Sequence, residues 1–205
     1  MITIIDYNVG NLGSIQNMLN RLGIANTITG NIDDIQTAQK LILPGVGHFD
    51  YGMQQLHKSN LVPILNHKVV HQQIPILGIC LGVQLLTQSS EEGTEKGLGW
   101  IKGKTIAFDK TKLESNQKIP NMGWTEVENY SQSKLFEGMY NEPRFYFVHS
   151  YHLALDNNTD CMVTANYGYQ FAAGIEHNNI LGTQFHPEKS HKFGMKILEN
   201  FNKNY

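Results

Sequence analysis

The sequence predicts an α/β fold built on an open, mostly parallel sheet, with an antiparallel portion added in the second half of the chain. In the first half, short apolar runs alternate with amphipathic helical patterns, which is typical of parallel strands joined by helical crossovers. After Gly97, strand patterns follow one another with few helices between them, which indicates antiparallel pairing. Neither repeats nor linker-like segments interrupt residues 1–205, so we predict a single domain.

The first half contains four apolar runs of strand length and four stretches with helical spacing. The first run ends at an acidic residue and a Gly/Asn turn, and the following helix has Ile15, Leu19 and Leu22 on one face. We expect Pro44 to end the third strand. The predicted strands are residues 2–6, 24–28, 40–43 and 74–79, and the predicted helices are residues 11–22, 49–58, 61–71 and 81–87.

The second half consists mainly of strand patterns with hairpin-like spacings. The predicted strands are residues 100–108, 124–127, 145–149, 162–166, 171–175 and 180–185. A closing helix is predicted over residues 191–201, because Phe193, Ile197 and Phe201 recur on one stripe.

Composition and charge argue against several classes of function. Of 205 residues, 40% are hydrophobic and 17% are charged, and the formal net charge of -2 gives no reason to expect nucleic acid or an anionic membrane as a partner. Cys80 and Cys161 are far apart and lack the spacing of metal ligands, and the amino-terminal segment does not resemble a signal peptide. These features predict a cytoplasmic protein without disulfides or membrane spans.

Cys80 is the strongest candidate nucleophile. It follows an apolar strand, precedes a helical pattern and lies between Gly78 and Gly82, as in a strained strand-to-helix turn that exposes a nucleophile. The helix amino terminus behind such a turn favours the reactive thiolate. The plainer alternative is a buried cysteine that packs as a small hydrophobic residue. That alternative is preferred for Cys161, which lies within a strand pattern.

His186 is the candidate base, with Glu188 as the group that orients it. Pro187 favours an extended conformation at His186, and alternate residues of an extended segment point to the same side. Glu188 is therefore predicted to reach the imidazole, which completes a Cys–His–Glu triad. Among the other histidines, His67 and His71 are four residues apart on a predicted helix, but no acidic third ligand accompanies them and a zinc site is not expected.

A glycine-containing loop, Gly45-Val46-Gly47, follows the strand predicted to lie beside that of Cys80. Its backbone amides, together with the amide of Leu81, can stabilise negative charge that develops on an oxygen during the reaction. An ordinary Pro-Gly turn is the alternative interpretation of the loop.

Two segments, GICLGVQ around Cys80 and QFHPEKS around His186, resemble the signatures of the class I glutamine amidotransferases. The segments DYNVGNLGSI, LPGVGHF, GLGWI, MGW and FYFVHSYH narrow the resemblance to the HisH group, the glutaminase subunits of imidazole glycerol phosphate synthase. The similarity extends from about residue 2 to the closing helix. Asn8, His48 and Asn121 depart from the usual pattern of this group, and Asn8 and Asn121 lie in segments expected near the partner.

The resemblance implies a three-layer fold, with helices on both faces of the sheet, and a (β/α)₈-barrel partner of the HisF type. It implies no metal or organic cofactor. Glutamine would be bound by Gly47, Gln84, His149, Ser150 and Tyr151 beside the triad. Residues expected to face the partner are Asn11, Trp124, Tyr146 and Lys189.

The sequence leaves alternatives open for the ammonia acceptor and for the role of the chain. The carboxyl-terminal segment also resembles glutaminases that supply ammonia, through a HisF-like partner, to a surface-polysaccharide sugar amidotransferase. A non-catalytic regulatory subunit and a stand-alone cysteine hydrolase are the alternatives of other classes.

Overall fold

The computed structural model describes residues 1–130 and 133–205, and within them it confirms the predicted α/β class. The described strands are β1 (Ile2–Ile5), β2 (Asn26–Thr29), β3 (Leu41–Gly45), β4 (Ile76–Cys80), β5 (Ser89–Ser90), β6 (Gly103–Ala107), β7 (Asn121–Glu128), β8 (Arg144–His149), β9 (Tyr151–Leu155), β10 (Cys161–Tyr167), β11 (Tyr169–His177) and β12 (Ile180–Thr183). The described α-helices are α1 (Leu12–Arg21), α2 (Ile32–Thr37), α3 (Phe49–Lys58), α4 (Val62–Asn66), α5 (Leu81–Leu85) and α6 (His191–Asn204).

The sheet has a parallel half and an antiparallel half that meet at β12. Neighbouring strands follow the order β2-β1-β3-β4-β12-β11-β10-β7-β8. The pairs from β2 to β12 are parallel and those from β12 to β8 are antiparallel, while β5, β6 and β9 form a branch that joins at β11. The carboxyl ends of β3, β4 and β12 therefore meet at one edge, where open α/β sheets place their sites.

Two hydrophobic cores lie on opposite faces of the parallel half. Successive side chains of a strand point to opposite faces, so Ile42 packs in one core while Leu41 and Leu43 pack in the other. Helices α1 and α6 cover the first face, and α2, α3, α4 and α5 cover the second. This arrangement confirms the three layers that the family resemblance implied.

Several element boundaries differ from the sequence predictions. Helix α2 was not predicted, because it is short and buries only Ile35; its first turn begins where the Asn31 side chain accepts a hydrogen bond from the amide of Asp33. Strand β3 continues through Pro44, since its pairing with β1 ends at Ile42 and Pro44 does not need to donate to that neighbour. The helix predicted over residues 61–71 is divided into α4 and a π-helical turn, His67–His71.

Strand β9 was also missed, because His152 and the partly exposed residues around it give no clean alternation of polar and apolar side chains. The strand predicted over residues 100–108 is shorter and covers Gly103–Ala107. Within the described residues, no helix is long and apolar enough to cross a membrane.

Helix α5 approaches the sheet so closely that glycine is required at two positions. A Cβ atom added at Gly82 would lie 1.8 Å from the carbonyl oxygen of Leu43, and one added at Gly78 would lie 2.8 Å from backbone atoms of Val83. Both distances are below any normal contact. The two glycines that flank Cys80 therefore allow the helix that follows it to pack directly on β3 and β4.

We predict that Gly82→Ala destabilises the chain by about 1–3 kcal/mol, because the added methyl group must push α5 away from a backbone carbonyl that cannot move aside. Urea unfolding measures the change. Gly13→Ala is the matched control, since nothing lies within 4 Å of its added Cβ and it is exposed on α1; it should be neutral or stabilising by up to about 1 kcal/mol. Equal unfolding midpoints for the two variants would contradict the packing interpretation.

Candidate active site

Cys80 lies at a strained turn between β4 and α5. Its backbone has φ 54° and ψ -112°, although a non-glycine residue rarely adopts positive φ. Strain of this kind persists only where the surrounding structure imposes it, and it is concentrated at functional sites. Here the close packing of α5 imposes it, and the turn directs the thiol to the carboxyl edge of the sheet as the sequence predicted.

His186 and Glu188 form a buried pair beside this turn. Nδ1 of His186 donates a hydrogen bond of 2.7 Å to Oε1 of Glu188, and their side chains are 1% and 3% exposed. His186 is extended, as Pro187 predicted, but residues Pro187–Lys189 form a 3₁₀ turn. The extended geometry predicted for Glu188 was therefore wrong: the carboxylate reaches the imidazole because the chain turns back.

The surroundings of His186 favour its protonated form. Burial alone would lower the pKa of this imidazole, but the adjacent Cys80 and Glu188 outweigh burial and raise the pKa to about 10. Within residues 1–130 and 133–205, Nε2 of His186 has no hydrogen-bond partner. The ring thus keeps one nitrogen for the Cys80 side while the other is fixed by Glu188.

A cavity of about 320 Å³ opens above Cys80 and His186. It is large enough for a small amino acid. Its lining contains seven further residues that the sequence predicted and three that it did not. The predicted residues are Val46, Gly47, Leu81, Gln84, His149, Ser150 and Tyr151, and the others are Glu92, Pro120 and Val148.

The remaining predicted residues lie just outside this cavity. Glu188 is behind the imidazole, and Gly45 is paired with Cys80 in the register of β3 and β4. Gly47 has φ +105°, and in the described part of the chain no hydrogen bond occupies the backbone amides of Val46 and Gly47. Val46 and Gly47 line the same cavity as Cys80, so their amides remain candidates for stabilising an oxyanion.

Comparison with known proteins agrees with this geometry. The family model described as "Glutamine amidotransferase class-I" matches residues 3–204. The chain is 51% identical over 201 residues to "Imidazole glycerol phosphate synthase subunit HisH 2" of Methanococcus maripaludis, and 46% identical over 201 residues to the protein of that name in Pseudomonas aeruginosa; each alignment covers 98% of both chains.

The chain belongs to the HisH group of class I glutamine amidotransferases. The fold agrees with solved structures at much lower sequence identity. "Structure of PurLQS from Thermotoga maritima" superimposes with a TM-score of 0.75 at 16% identity, covering 99% of this chain and 97% of that one. The structure called "Crystal structure of glutamine amidotransferase" gives 0.73 at 16% identity, covering 98% and 100%.

Two polar residues of this amidotransferase site were missed, and the sequence contains a usable signal for only one of them. Gln184 is fully buried, and its Nε2 lies 3.9 Å from the Cys80 sulfur. It precedes His186 by two positions at the end of a strand, so alternation could have placed both on the same side. Glu92 accepts a hydrogen bond of 2.8 Å from the amide of Phe49. No pattern in the sequence distinguishes Glu92 from its neighbour Glu91.

His149 lines the same cavity but is held neutral. Burial lowers its pKa to about 3, even though the Tyr151 carbonyl accepts a hydrogen bond of 2.8 Å from Nδ1. The second nitrogen, Nε2, is 3.2 Å from Nδ2 of Asn121 and accepts a hydrogen bond from it. Asn121, one of the departures from the family pattern, thus stabilises the neutral tautomer.

Three of the four residues predicted to face the partner, Trp124, Tyr146 and Lys189, lie close to His186 in the sheet or along the chain. Trp124 is 45% exposed and stacks on His191, with 5.4 Å between the ring centroids. The Lys189 ammonium lies 5.6 Å from the centroid of the Tyr146 ring. Asn11 is exposed at the start of α1, where its side chain accepts a hydrogen bond from the amide of Ser14. Asn8 has φ 63°, a conformation that asparagine tolerates better than most residues.

We predict that acid destabilises the chain partly through His149. The unfolded imidazole takes up a proton below pH 6.5, while the folded one resists protonation until about pH 3, so the free energy of unfolding falls as the pH drops through this window. His149→Gln should flatten the slope by up to about 1.4 kcal/mol per pH unit.

Urea unfolding of both proteins between pH 4 and pH 7 measures this difference in slope. His57→Gln is the control, since this residue is an exposed histidine on α3 and its replacement should leave the slope unchanged. Parallel slopes for the wild-type chain and His149→Gln would rule out a buried neutral imidazole.

Proposed function

We propose that this chain is the glutaminase subunit of a cytoplasmic imidazole glycerol phosphate synthase. It hydrolyses glutamine and passes the ammonia to a (β/α)₈-barrel cyclase subunit of the HisF type, for histidine biosynthesis. The observation that carries the proposal is the convergence of Cys80, at a strained strand-to-helix turn, with the buried His186–Glu188 pair in one cavity. The names of the two relatives reported above support the choice of pathway.

The reaction begins with attack by the Cys80 thiolate on the carboxamide carbon of glutamine. The oxygen of the tetrahedral intermediate carries the negative charge, and the backbone amides of Val46, Gly47 and Leu81 donate to it. His186, protonated at Nε2, gives its proton to the nitrogen as the carbon–nitrogen bond breaks. Ammonia leaves and a thioester remains on Cys80.

The second half of the reaction returns the pair to its starting state. Neutral His186 removes a proton from water, and the resulting hydroxide attacks the thioester carbon. Glutamate leaves as the carbon–sulfur bond breaks, which restores the Cys80 thiolate beside a protonated imidazole. Glu188 holds the ring orientation and stabilises its positive charge in both halves, consistent with the raised pKa of His186.

The cavity lining accounts for recognition of a free amino acid. Glu92 contributes a carboxylate that can accept hydrogen bonds from the α-ammonium group of glutamine. Gln84 and residues 149–151 line the same cavity, and the side-chain carboxamide of glutamine must lie next to the thiol. The polar groups are few and held by the fold, as is usual in small-molecule sites.

Docking of the barrel subunit is assigned to the surface around Trp124, Tyr146 and Lys189. Aromatic side chains that are partly exposed and held by stacking are common centres of protein interfaces. The surface is next to the His186 loop, so a docked partner would receive ammonia close to where it is released. Direct transfer between the subunits would keep the ammonia out of bulk water, where it is protonated and diluted.

The test measures glutamate release by the wild-type chain and by Cys80→Ala, with and without a purified HisF-type barrel subunit and its ribonucleotide substrate. The wild-type complex should release glutamate and form the imidazole product. The rate of glutamate release by Cys80→Ala should be at least about a thousandfold lower, because no other group can form the thioester. This variant should still bind the barrel subunit.

Cys161→Ala is the matched control, since Cys161 lies in β10 outside the cavity, and its activity should equal that of the wild-type chain. Retained hydrolysis in Cys80→Ala would overturn the triad. Hydrolysis without imidazole product would support the triad but indicate that the ammonia is supplied to a surface-polysaccharide sugar amidotransferase. Partner binding without any hydrolysis in the wild-type complex would indicate a regulatory subunit.

Replacing Trp124 tests the docking surface separately from the chemistry. We predict that Trp124→Ala weakens binding of the barrel subunit about thirtyfold or more, corresponding to about 2 kcal/mol for an aromatic anchor. Titration calorimetry of the two subunits measures the affinity. Val70→Ala is the control, since Val70 is also exposed and apolar but lies at the opposite edge of the sheet. Unchanged affinity in Trp124→Ala would place the interface elsewhere.

A further inference from the structure

Two buried side-chain amides, those of Gln84 and Gln184, connect the nucleophile to the Tyr151 carbonyl in the cavity wall. Nε2 of Gln84 lies 3.1 Å from the carbonyl oxygen of Tyr151 and 3.0 Å from Oε1 of Gln184. Nε2 of Gln184 in turn lies 3.9 Å from the sulfur of Cys80. Gln184 is fully buried and Gln84 is 5% exposed, so solvent does not compete for these contacts.

The orientation of both amides follows from a single unambiguous acceptor. Glutamine oxygen and nitrogen atoms are normally assigned from their hydrogen-bond partners. The Tyr151 carbonyl can only accept, so Gln84 must direct its nitrogen toward it. The second hydrogen of that nitrogen then faces Gln184, which must present its oxygen. The nitrogen of Gln184 is left to face the Cys80 sulfur.

Besides the imidazole of His186, the titratable group next to Cys80, two uncharged groups with opposite preferences contact this sulfur. The carbonyl oxygen of Val148, 3.9 Å away, can only accept and so favours the protonated thiol. The amide nitrogen of Gln184 can only donate and so favours the thiolate, which is the better acceptor. Since the site is buried, a fixed donor has a larger effect than it would have in water.

We infer that Gln184 is a catalytic residue that donates to the Cys80 sulfur, raises the population of its thiolate and is held in place by Gln84 and the Tyr151 carbonyl. The consequence for turnover depends on the proposed glutaminase function, but the consequence for thiol reactivity does not. Gln184 follows the end of β12 and is fully buried, and a buried primary amide costs stability compared with an apolar side chain unless its polar atoms are paired.

The test is the pH dependence of Cys80 alkylation by iodoacetamide, measured on the whole chain in a Cys161→Ala background. Gln184→Leu removes both hydrogen bonds of the side chain. Gln184→Glu keeps an oxygen that accepts from Gln84 but replaces the donor to sulfur with a second oxygen. Both should move the midpoint of the alkylation rate up by about one pH unit, which slows alkylation about tenfold at a fixed pH below the midpoint.

Gln170→Leu is the control, since this glutamine is exposed on β11, and it should leave the profile unchanged. In the complex with the barrel subunit, Gln184→Glu should move the acidic limb of kcat/KM by the same amount, which a purely structural role would not do. An alkylation profile that coincides with the wild-type profile in either folded Gln184 variant overturns the inference.

A measurement on the unmutated site covers the case in which the variants fail to fold. The side-chain amide signals of Gln184 in a ¹H–¹⁵N spectrum should titrate with the same midpoint as alkylation, and the titration should vanish in Cys80→Ala. Signals that do not move across that midpoint overturn the inference. Loss of glutaminase activity with an intact titration would instead count against the proposed function alone.

Discussion

The close approach of α5 to the ends of β3 and β4 is the constraint on which the site depends. Because Gly82 lies against the Leu43 carbonyl, the chain has to leave β4 through a sharp turn, and Cys80 takes positive φ. The same approach places Gly45 next to Cys80 in the sheet register. The nucleophile and the amides proposed to stabilise the oxyanion are thus positioned by one packing contact, stabilised by the burial of α5 in the second core.

Two histidines in one cavity are driven to opposite charge states by their partners. His186 faces a buried carboxylate and a sulfur, and its pKa rises to about 10. His149 is also buried, but its partners are a backbone carbonyl and the amide of Asn121, so burial dominates and its pKa falls to about 3. Divergent pKa values of neighbouring groups are a general sign of divided roles. In the proposed reaction the charged imidazole transfers protons, while the neutral one fixes the turn at residues 149–151 through its hydrogen bond to the Tyr151 carbonyl.

The sequence predicted a residue's geometry correctly where a local rule applied. It did not do so where contacts between distant segments determine that geometry. The glycines around Cys80 and the Pro187 effect on His186 are local, and both features were predicted correctly. The 3₁₀ turn that brings Glu188 to the imidazole depends on packing of the His186 loop against its neighbours, so the predicted extended geometry was wrong. Gln184 and Glu92 acquire their places only when distant segments meet.

Hydrogen bonds connect the proposed docking surface to the His186 loop, which bears on how a partner could influence hydrolysis. The amide of His186 donates to the Tyr146 carbonyl, and the amide of Tyr146 donates to the Ser190 hydroxyl. That hydroxyl in turn donates to the His186 carbonyl, which closes a ring of three residues.

Tyr146 also belongs to β8, which ends at His149 in the cavity wall. A displacement of Tyr146 would therefore affect His186 through these hydrogen bonds and His149 through the covalent chain of β8. Packed elements of this kind move as units rather than deforming gradually. If the partner docks at Trp124 and Tyr146 as proposed, its contact would act on both walls of the cavity through these connections.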